Sequence, residues 1–200
     1  MGNMVRVEDN DGWPRSGSRM AKSCALDIEF CHVITETIRA HADAKAIVLT
    51  CTGTVFSAGV DLRRVHDGGV SYIAEFLPAL DEPFLALFEA PRPVVAAING
   101  HALAGGCLLA AACDLRLMSA ESGVAEMMAG IPFPLAGLQI MRYAFGGVTG
   151  RSVLTAEKLD AAAAHACGLI DELVDPDELM PRALSSVPRH SPRSLRRPTP

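Results

Sequence analysis

Two glycine turns in this chain each follow a short apolar run and could present main-chain N–H groups to a ligand. Phe56-Ser-Ala-Gly-Val-Asp-Leu62 follows the run 45–50, and Asn99-Gly-His-Ala-Leu-Ala-Gly-Gly-Cys107 follows 93–98. A helix predicted to begin near Gly105 leaves its first N–H groups without an earlier carbonyl partner, which suits an oxygen carrying negative charge. One N–H from each turn, aimed at a single carbonyl oxygen, would form an oxyanion hole.

The glycines also admit a purely structural interpretation, because Gly59, Gly100, Gly105 and Gly106 could simply permit tight packing and positive φ. Two such turns, each after a strand, favour the oxyanion hole. The pattern is neither GxGxxG nor a P-loop, since no GK[ST] follows the glycines. Binding of a nucleotide phosphate is therefore not expected.

Glu126 is the leading candidate for a general base. It lies in the apolar stretch Val124-Ala-Glu-Met-Met-Ala-Gly-Ile131, where burial would raise its pKa toward the working range of a base. The alternative is a surface glutamate on a frayed turn. For His101, a packed or solvent-facing ring is favoured over a proton shuttle. Ser57 has no GxSxG context, so the sequence gives little support to acyl-enzyme chemistry.

Composition limits the classes of function. Residues 182–200 carry five arginines and no acid, which leaves 13 basic and 23 acidic residues elsewhere. An acidic body argues against a nucleic-acid partner. The longest apolar run is too short or too interrupted to span a membrane. The six cysteines and six histidines show no metal spacing, so we expect no metal site, and buried thiols indicate the cytoplasm.

Apolar periodicity predicts alternating strands and helices, and hence an α/β fold. Residues 1–21 are expected to be poorly ordered, 22–184 to form one domain, and 185–200 to be a disordered basic Pro/Arg tail. Asp61 is expected to cap a helix, and Asp114 to serve a chain connection. Helices are predicted over 25–42, 70–90 (kinked or divided at Pro78 and Pro83), 105–112, 138–145, 156–166 and 176–184, and strands over 46–49, 94–98 and 115–118, with a strand or extended edge over 168–174.

Over about residues 22–184 the chain resembles the enoyl-CoA hydratase/isomerase family, the crotonase superfamily. Both glycine turns, Glu126-Met-Met-Ala-Gly130 and the stretch ending in Gly168-Leu-Ile-Asp-Glu-Leu-Val174 carry the resemblance. It implies a spiral of repeated ββα units and an acyl-CoA thioester as substrate, with no cofactor beyond the coenzyme A of that substrate. It also implies a homo-oligomer, a trimer.

The resemblance implies a role for each matching position. The N–H groups of Val60 and Gly105 would hold the thioester oxygen, and Glu126 would be the catalytic carboxylate. Ala58 would lie against the CoA adenine. The remaining positions expected to contact CoA or substrate are Gly59, Asp61, Leu62 and Gly106.

One position narrows the expected reaction. Hydratases of this family carry a second glutamate where this chain has Leu108, and Ala104-Gly-Gly-Cys-Leu-Leu109 is similar to the Δ3,Δ2-enoyl-CoA isomerases. The resemblance therefore favours isomerisation of 3-enoyl-CoA to 2-trans-enoyl-CoA in the β-oxidation of fatty acids. A hydratase-type lyase and a catalytically silent acyl-CoA-binding protein remain alternatives.

Several departures from the family pattern accompany the match. No opening β-hairpin is readable in residues 1–21, Cys24 replaces the usual asparagine, and a Pro/Arg tail stands where further helices would complete the CoA pocket. Both ends are interpreted as truncated or altered in reading frame. The segment 119–125 is about two residues shorter than the hydratase pattern, which could move Glu126 relative to the pocket.

Overall fold

The computed structural model describes residues 5–8 (as backbone), 24–51, 53–125, 134–149 and 157–186. In these residues the helices are α1 Ile28–Ala40, α2 Leu62–Phe88, α3 Gly105–Ala111, α4 Leu135–Phe145, α5 Ala161–Ala166 and α6 Leu179–Ser186, with the 3₁₀ turn Pro176–Glu178 before α6. The strands are β1 Val5–Glu8, β2 Ala25–Leu26, β3 Ala46–Leu49, β4 Val55–Ser57, β5 Gly59–Val60, β6 Val94–Ile98, β7 His101–Leu103, β8 Leu115–Ser119, β9 Gly123–Ala125, β10 Lys158–Asp160 and β11 Glu172–Val174.

The strands form three sheets that are parallel apart from two edge strands. The larger sheet has the order β1-β3-β6-β8-β11, the second β10-β9-β7-β4, and β2 pairs with β5. Strands β1 and β10 run antiparallel to their neighbours. Successive units place a first strand (β3, β6, β8) in the larger sheet and a second (β4, β7, β9) in the smaller one. This repetition of ββ pairs followed by helices confirms the predicted α/β class and the spiral of ββα units.

The larger sheet is buried on both faces, and the two-residue period of its strands assigns each side chain to a face. On β6, Val94, Ala96 and Ile98 join the main core with α1, α2 and α3. The alternate residues Val95 and Ala97 face a smaller second core. The second core also contains Ala46, Val48 and Leu117 from the sheet, and Leu179 and Ala183 from α6.

Helices α1 and α2 begin at capping aspartates. The Asp27 carboxylate accepts the Phe30 N–H at 2.7 Å. Asp61 accepts the N–H groups of Arg63 and Arg64 at 3.1 and 3.2 Å, which confirms its predicted role as a cap. Asp114 accepts the Val94 N–H at 2.8 Å and so fixes the chain between α3 and β8, which confirms its role in a connection.

Local structure differs from the sequence-based predictions at three places. Helix α2 continues through Pro78 and Pro83 and is interrupted at Gly69, where φ is +58° and ψ is −153°. Strand β1 pairs with β3 in the segment 1–21, where no strand was predicted. The predicted helix 156–166 begins only at Ala161, after β10, because the Asp160 carboxylate accepts the Ala163 N–H at 2.8 Å.

The cysteines follow their prediction only in part. Cys31, Cys107 and Cys113 are buried thiols, and burial raises the pKa of Cys31 to about 12. Cys24 and Cys51, by contrast, are joined in a disulfide. Sequence spacing did not suggest this pair, because the two residues are 27 positions apart and meet only through the fold.

In the described part of the chain, no helix combines the length and the hydropathy needed to cross a membrane.

Candidate functional site

The structure brings the two predicted glycine turns into direct contact. A Cβ built on Gly59 would lie 2.8 Å from the Leu103 carbonyl oxygen and 3.2 Å from the Gly105 nitrogen. A Cβ on Gly105 would in turn lie 3.7 Å from the Gly59 Cα. Glycine is therefore required at Gly59 by the close approach of the second turn and by a φ of +77°, whereas a Cβ on Gly105 would meet the Leu26 side chain at 2.6 Å.

Strand β5 fixes the direction of the amides in the first turn. The Asp61 N–H donates to the Leu26 carbonyl at 2.9 Å, and the Gly59 N–H donates to the Ser57 Oγ at 3.2 Å. Because consecutive N–H groups of a strand point to opposite sides, we expect the Val60 N–H to face away from β2, opposite to that of Asp61. This direction leaves that amide available to a ligand outside the β2–β5 pair.

The second turn places an alanine in a backbone conformation that glycine normally adopts. Ala104 has φ +46° and ψ −114°, close to the first central position of a type II′ turn. Its carbonyl oxygen accepts the N–H groups of Cys107 and Leu108 at 2.8 and 3.2 Å, which begins helix α3. The Ala104–Gly105 peptide is thus held in a defined orientation where the chain enters the helix.

The same turn is bonded to strand β9. The Ala104 N–H donates to the Ala125 carbonyl at 2.7 Å, and Leu103 is opposite Ala125 in the parallel pairing of β7 with β9. Glu126, the predicted base, follows Ala125 directly in the sequence but lies outside the described residues. Strand β9 pairs in register with β7 as far as Ala125, and the predicted shift of Glu126 by a shortened segment stays a prediction.

The other predicted contact residues surround the first turn and the start of α3. Ala58 is half-buried, Asp61 caps α2, and Leu62 is 46% exposed. Gly106 is buried against Ser57, since an added Cβ would lie 2.8 Å from the Ser57 carbonyl oxygen. His101 is exposed, in keeping with the solvent-facing interpretation.

Leu108 is 3% exposed and packs in the main core. Every residue of α3 is buried, and none of its side chains can ionise except the thiol of Cys107. Helix α3 therefore contributes main-chain groups and apolar packing, and no carboxylate, to its surroundings.

Asn99 is a structural residue of the site that the sequence analysis did not identify. Its Oδ1 accepts the Cys51 N–H at 3.1 Å and the Thr50 hydroxyl at 3.4 Å, and its Nδ2 donates to the Gly53 carbonyl at 2.8 Å. The amide thereby ties the loop after β3 to the turn after β6. In the sequence, Asn99 is the polar residue that directly follows the apolar run 94–98, and this position could have indicated its structural role.

Comparison with known proteins agrees with this architecture. The family model for enoyl-CoA hydratase/isomerase matches residues 23–194. The chain is 32% identical over 176 residues to crotonyl-CoA hydratase of Syntrophomonas wolfei, covering 84% of this chain and 65% of that protein. It is 30% identical over 183 residues to the mitochondrial enoyl-CoA delta isomerase 1 of Rattus norvegicus, covering 84% and 63%.

A solved structure of Pseudomonas aeruginosa DspI superposes with a TM-score of 0.79 at 28% identity, covering 92% of this chain and 81% of that one. The chain therefore belongs to the enoyl-CoA hydratase/isomerase family and has the crotonase fold. It spans somewhat less than two thirds of the length of the two curated relatives described above.

Proposed function

We propose that this protein isomerises 3-enoyl-CoA to 2-trans-enoyl-CoA, with the Val60 and Gly105 N–H groups as its oxyanion hole and Glu126 as its base. The observation that carries the proposal is the contact between the two turns, in which a Cβ on Gly59 would stand 3.2 Å from the Gly105 nitrogen. Two amides from separate loops converging at one place can stabilise one developing negative charge.

The chemistry requires that charge to be stabilised. Removal of a proton from C2 of a 3-enoyl thioester places negative charge on the thioester oxygen and forms a dienolate. Donors aligned with the oxygen in advance stabilise the dienolate more than the ground state, which lowers the barrier. Return of the proton at C4 moves the double bond to C2–C3, so no atom is gained or lost. The acyl-CoA is the substrate, and the step needs no metal or redox group.

Glu126 is proposed to carry the proton in both steps. Support comes from its neighbour Ala125, whose carbonyl oxygen accepts the Ala104 N–H one residue before the proposed donor Gly105. A carboxylate leaving strand β9 at this point starts close to the second turn. A single carboxylate is sufficient, because one group can remove the proton from one face and return it to the same face.

Isomerisation is favoured over hydration by the buried Leu108. Addition of water would use a second carboxylate to orient and deprotonate the water, and α3 presents a core leucine at that position. Hydration remains the second candidate, because relatives such as crotonyl-CoA hydratase match the chain at similar identity. A silent acyl-CoA-binding protein is the third. A homo-oligomer in the cytoplasm is proposed as the setting for all three.

The deciding experiment gives the purified protein 3-enoyl-CoA and, separately, 2-enoyl-CoA in water. We expect the conjugated 2-trans product from the first substrate and little hydration of the second. Glu126→Gln should abolish the isomerisation, whereas Glu121→Gln, at an exposed glutamate before β9, should retain it. Hydration faster than isomerisation would establish the lyase instead, and binding of acyl-CoA without turnover would establish the silent protein.

A further inference from the structure

The Ser57 hydroxyl lies at the junction of three backbone segments. The residue is completely buried, its Oγ donates to the Cys24 carbonyl at 2.8 Å, and the same oxygen accepts the Gly59 N–H at 3.2 Å. One hydroxyl therefore connects the residue before β2 with the first glycine turn. Its acceptor, Cys24, is itself held at φ +48°, in the region that side chains seldom adopt.

Ser57 also contacts the second turn. A Cβ on Gly106 would lie 2.8 Å from the Ser57 Cβ and 3.2 Å from its Oγ. The serine side chain thus fills the space between the first turn and the start of α3. A change in its hydrogen bonds acts at the place where the two turns meet.

We infer that Ser57 is a positioning residue for the oxyanion hole, an inference that rests on the proposed function. The hydroxyl holds the Gly59 N–H and so the Ala58–Gly59 peptide, from which the chain passes through Gly59, at φ +77°, directly to the Val60 amide. Ser57 does not touch the substrate in this role. It determines the direction of a donor that does.

The inference predicts a characteristic kinetic effect. Oxyanion donors act more strongly on the transition state than on bound substrate, so a misdirected Val60 amide should lower kcat while leaving KM nearly unchanged. It should also polarise the thioester carbonyl less. That polarisation is visible as the carbonyl stretching frequency of a bound, unreactive saturated acyl-CoA.

The test compares Ser57→Ala with Thr35→Val in the full-length protein. Thr35 offers a matched control, because its hydroxyl is also buried and donates to a carbonyl, that of Cys31 at 2.9 Å, within helix α1. We expect Ser57→Ala to lower kcat about tenfold or more, a smaller loss than the roughly hundredfold or greater loss when an oxyanion donor is removed outright. The carbonyl stretch of saturated acyl-CoA should move to higher frequency in Ser57→Ala and stay unchanged in Thr35→Val.

Other outcomes are decisive as well. Wild-type kcat and stretching frequency in Ser57→Ala, or equal changes in both variants, would overturn the inference. If Ser57→Ala does not fold, Ser57→Cys decides, because the thiol keeps the side chain's place but is a weaker donor, and it should give an intermediate shift. If the wild type polarises the carbonyl of bound acyl-CoA but does not isomerise 3-enoyl-CoA, the isomerase assignment fails. The change in carbonyl stretching frequency in Ser57→Ala then still tests the role of Ser57. A wild type that polarises no carbonyl overturns both.

Discussion

The Ala104 N–H donates a 2.7 Å hydrogen bond to the carbonyl oxygen of Ala125, which joins the second glycine turn to strand β9 by main chain alone. Each of these residues directly precedes a residue of the proposed site, Gly105 in one case and Glu126 in the other. Backbone pairing therefore fixes the second turn against strand β9 as far as Ala125. Substitutions in the turns should therefore act mainly by changing the distance between these backbone segments.

Gly59→Ala should remove most of the proposed isomerase activity. The new methyl group would lie 2.8 Å from the Leu103 carbonyl and would force the two turns apart at a residue whose φ is +77°. A displacement of about 1 Å between reacting groups can cost on the order of a hundredfold in rate. Steady-state kinetics with 3-enoyl-CoA, together with a thermal melt, measure the effect.

Gly168→Ala is the matched control for this change. Gly168 has a similar φ of +82°, but nothing lies within 4 Å of an added Cβ. Gly168→Ala should lower the free energy of unfolding by about 1–2 kcal/mol, because a Cβ is unfavourable at positive φ, and should keep its activity. Similar activity losses in both variants would show that global destabilisation, and not separation of the turns, is responsible.

Ala104→Gly should stabilise the protein. The residue occupies φ +46° and ψ −114°, where loss of the Cβ relieves a strain of roughly 1–3 kcal/mol and outweighs the extra flexibility of glycine in the unfolded chain. Ala162→Gly, at an exposed position in α5, should instead destabilise by about 0.5–1 kcal/mol. Urea unfolding of the two variants should give changes of opposite sign, and a loss of stability in both would show that Ala104 is not strained.

Asp171→Ala should be strongly destabilising. Its carboxylate accepts the Arg116 guanidinium at 2.9 Å and the Arg116 N–H at 2.8 Å, and the Arg116 side chain is only 9% exposed. The Asp171 side chain is itself 33% exposed and Arg116 keeps a hydrogen bond to the Cys113 carbonyl, so removing the carboxylate should cost about 1–3 kcal/mol. Chemical denaturation of the wild type and of Asp171→Ala measures this loss in the free energy of unfolding.

The adjacent residue Glu172 supplies the comparison for Asp171. Its ion pair with Arg182 is exposed on both sides, so Glu172→Ala should cost less than about 1 kcal/mol. If the two variants lose equal stability, burial of Arg116 has no special effect.

Asp81→Asn should make stability less dependent on pH. Burial raises the pKa of the Asp81 carboxyl, although the Gly137 N–H opposes the shift, and Oδ1 is buried without a hydrogen bond. The folded state therefore takes up this proton at higher pH than the unfolded state, and the carboxylate costs stability at neutral pH. The variant should be more stable than wild type at pH 7, with the difference vanishing as the pH falls below the ordinary range of an aspartate.

Unfolding curves at several pH values for Asp81→Asn and for Glu75→Gln test this expectation. Glu75 is exposed on the same helix, so its substitution should leave the pH profile unchanged. A gain for Asp81→Asn that is equal at pH 7 and pH 3 would contradict the assigned role of the charge.

The sequence predicted the fold class and both turns because their signals are local. Apolar runs ending in glycine identify strand-to-turn transitions without knowledge of the rest of the chain, and Asp61 occupies a position where a carboxylate can cap a helix. Helix α2 shows the limit of this approach. Pro78 and Pro83 indicated a break, yet the chain stays helical there because Phe76, Leu80 and Phe84 are buried in the main core.

Features that depend on contacts between distant segments could not be read from the sequence. The Cys24–Cys51 disulfide, the Asn99 hydrogen bonds and the contact of Ser57 with Gly106 all join segments that only the parallel pairing of strands brings together. Strand β1 was missed because its four residues alternate polar and apolar side chains within a polar segment, and its identity as a strand comes from the edge of β3. Such features follow from topology rather than from local propensity.

Helix α6 covers the second face of the larger sheet with a contact that is small beside the main core. Leu179 and Ala183 are its only buried residues within the described chain, whereas Phe56, Ala102 and Cys107 of the two turns are buried in the main core. The two faces of the sheet can therefore differ in how readily the elements packed on them unfold locally. Amide protons of α6 should exchange with deuterium sooner than those of α3, so local unfolding of α6 need not reach the face that carries the two glycine turns.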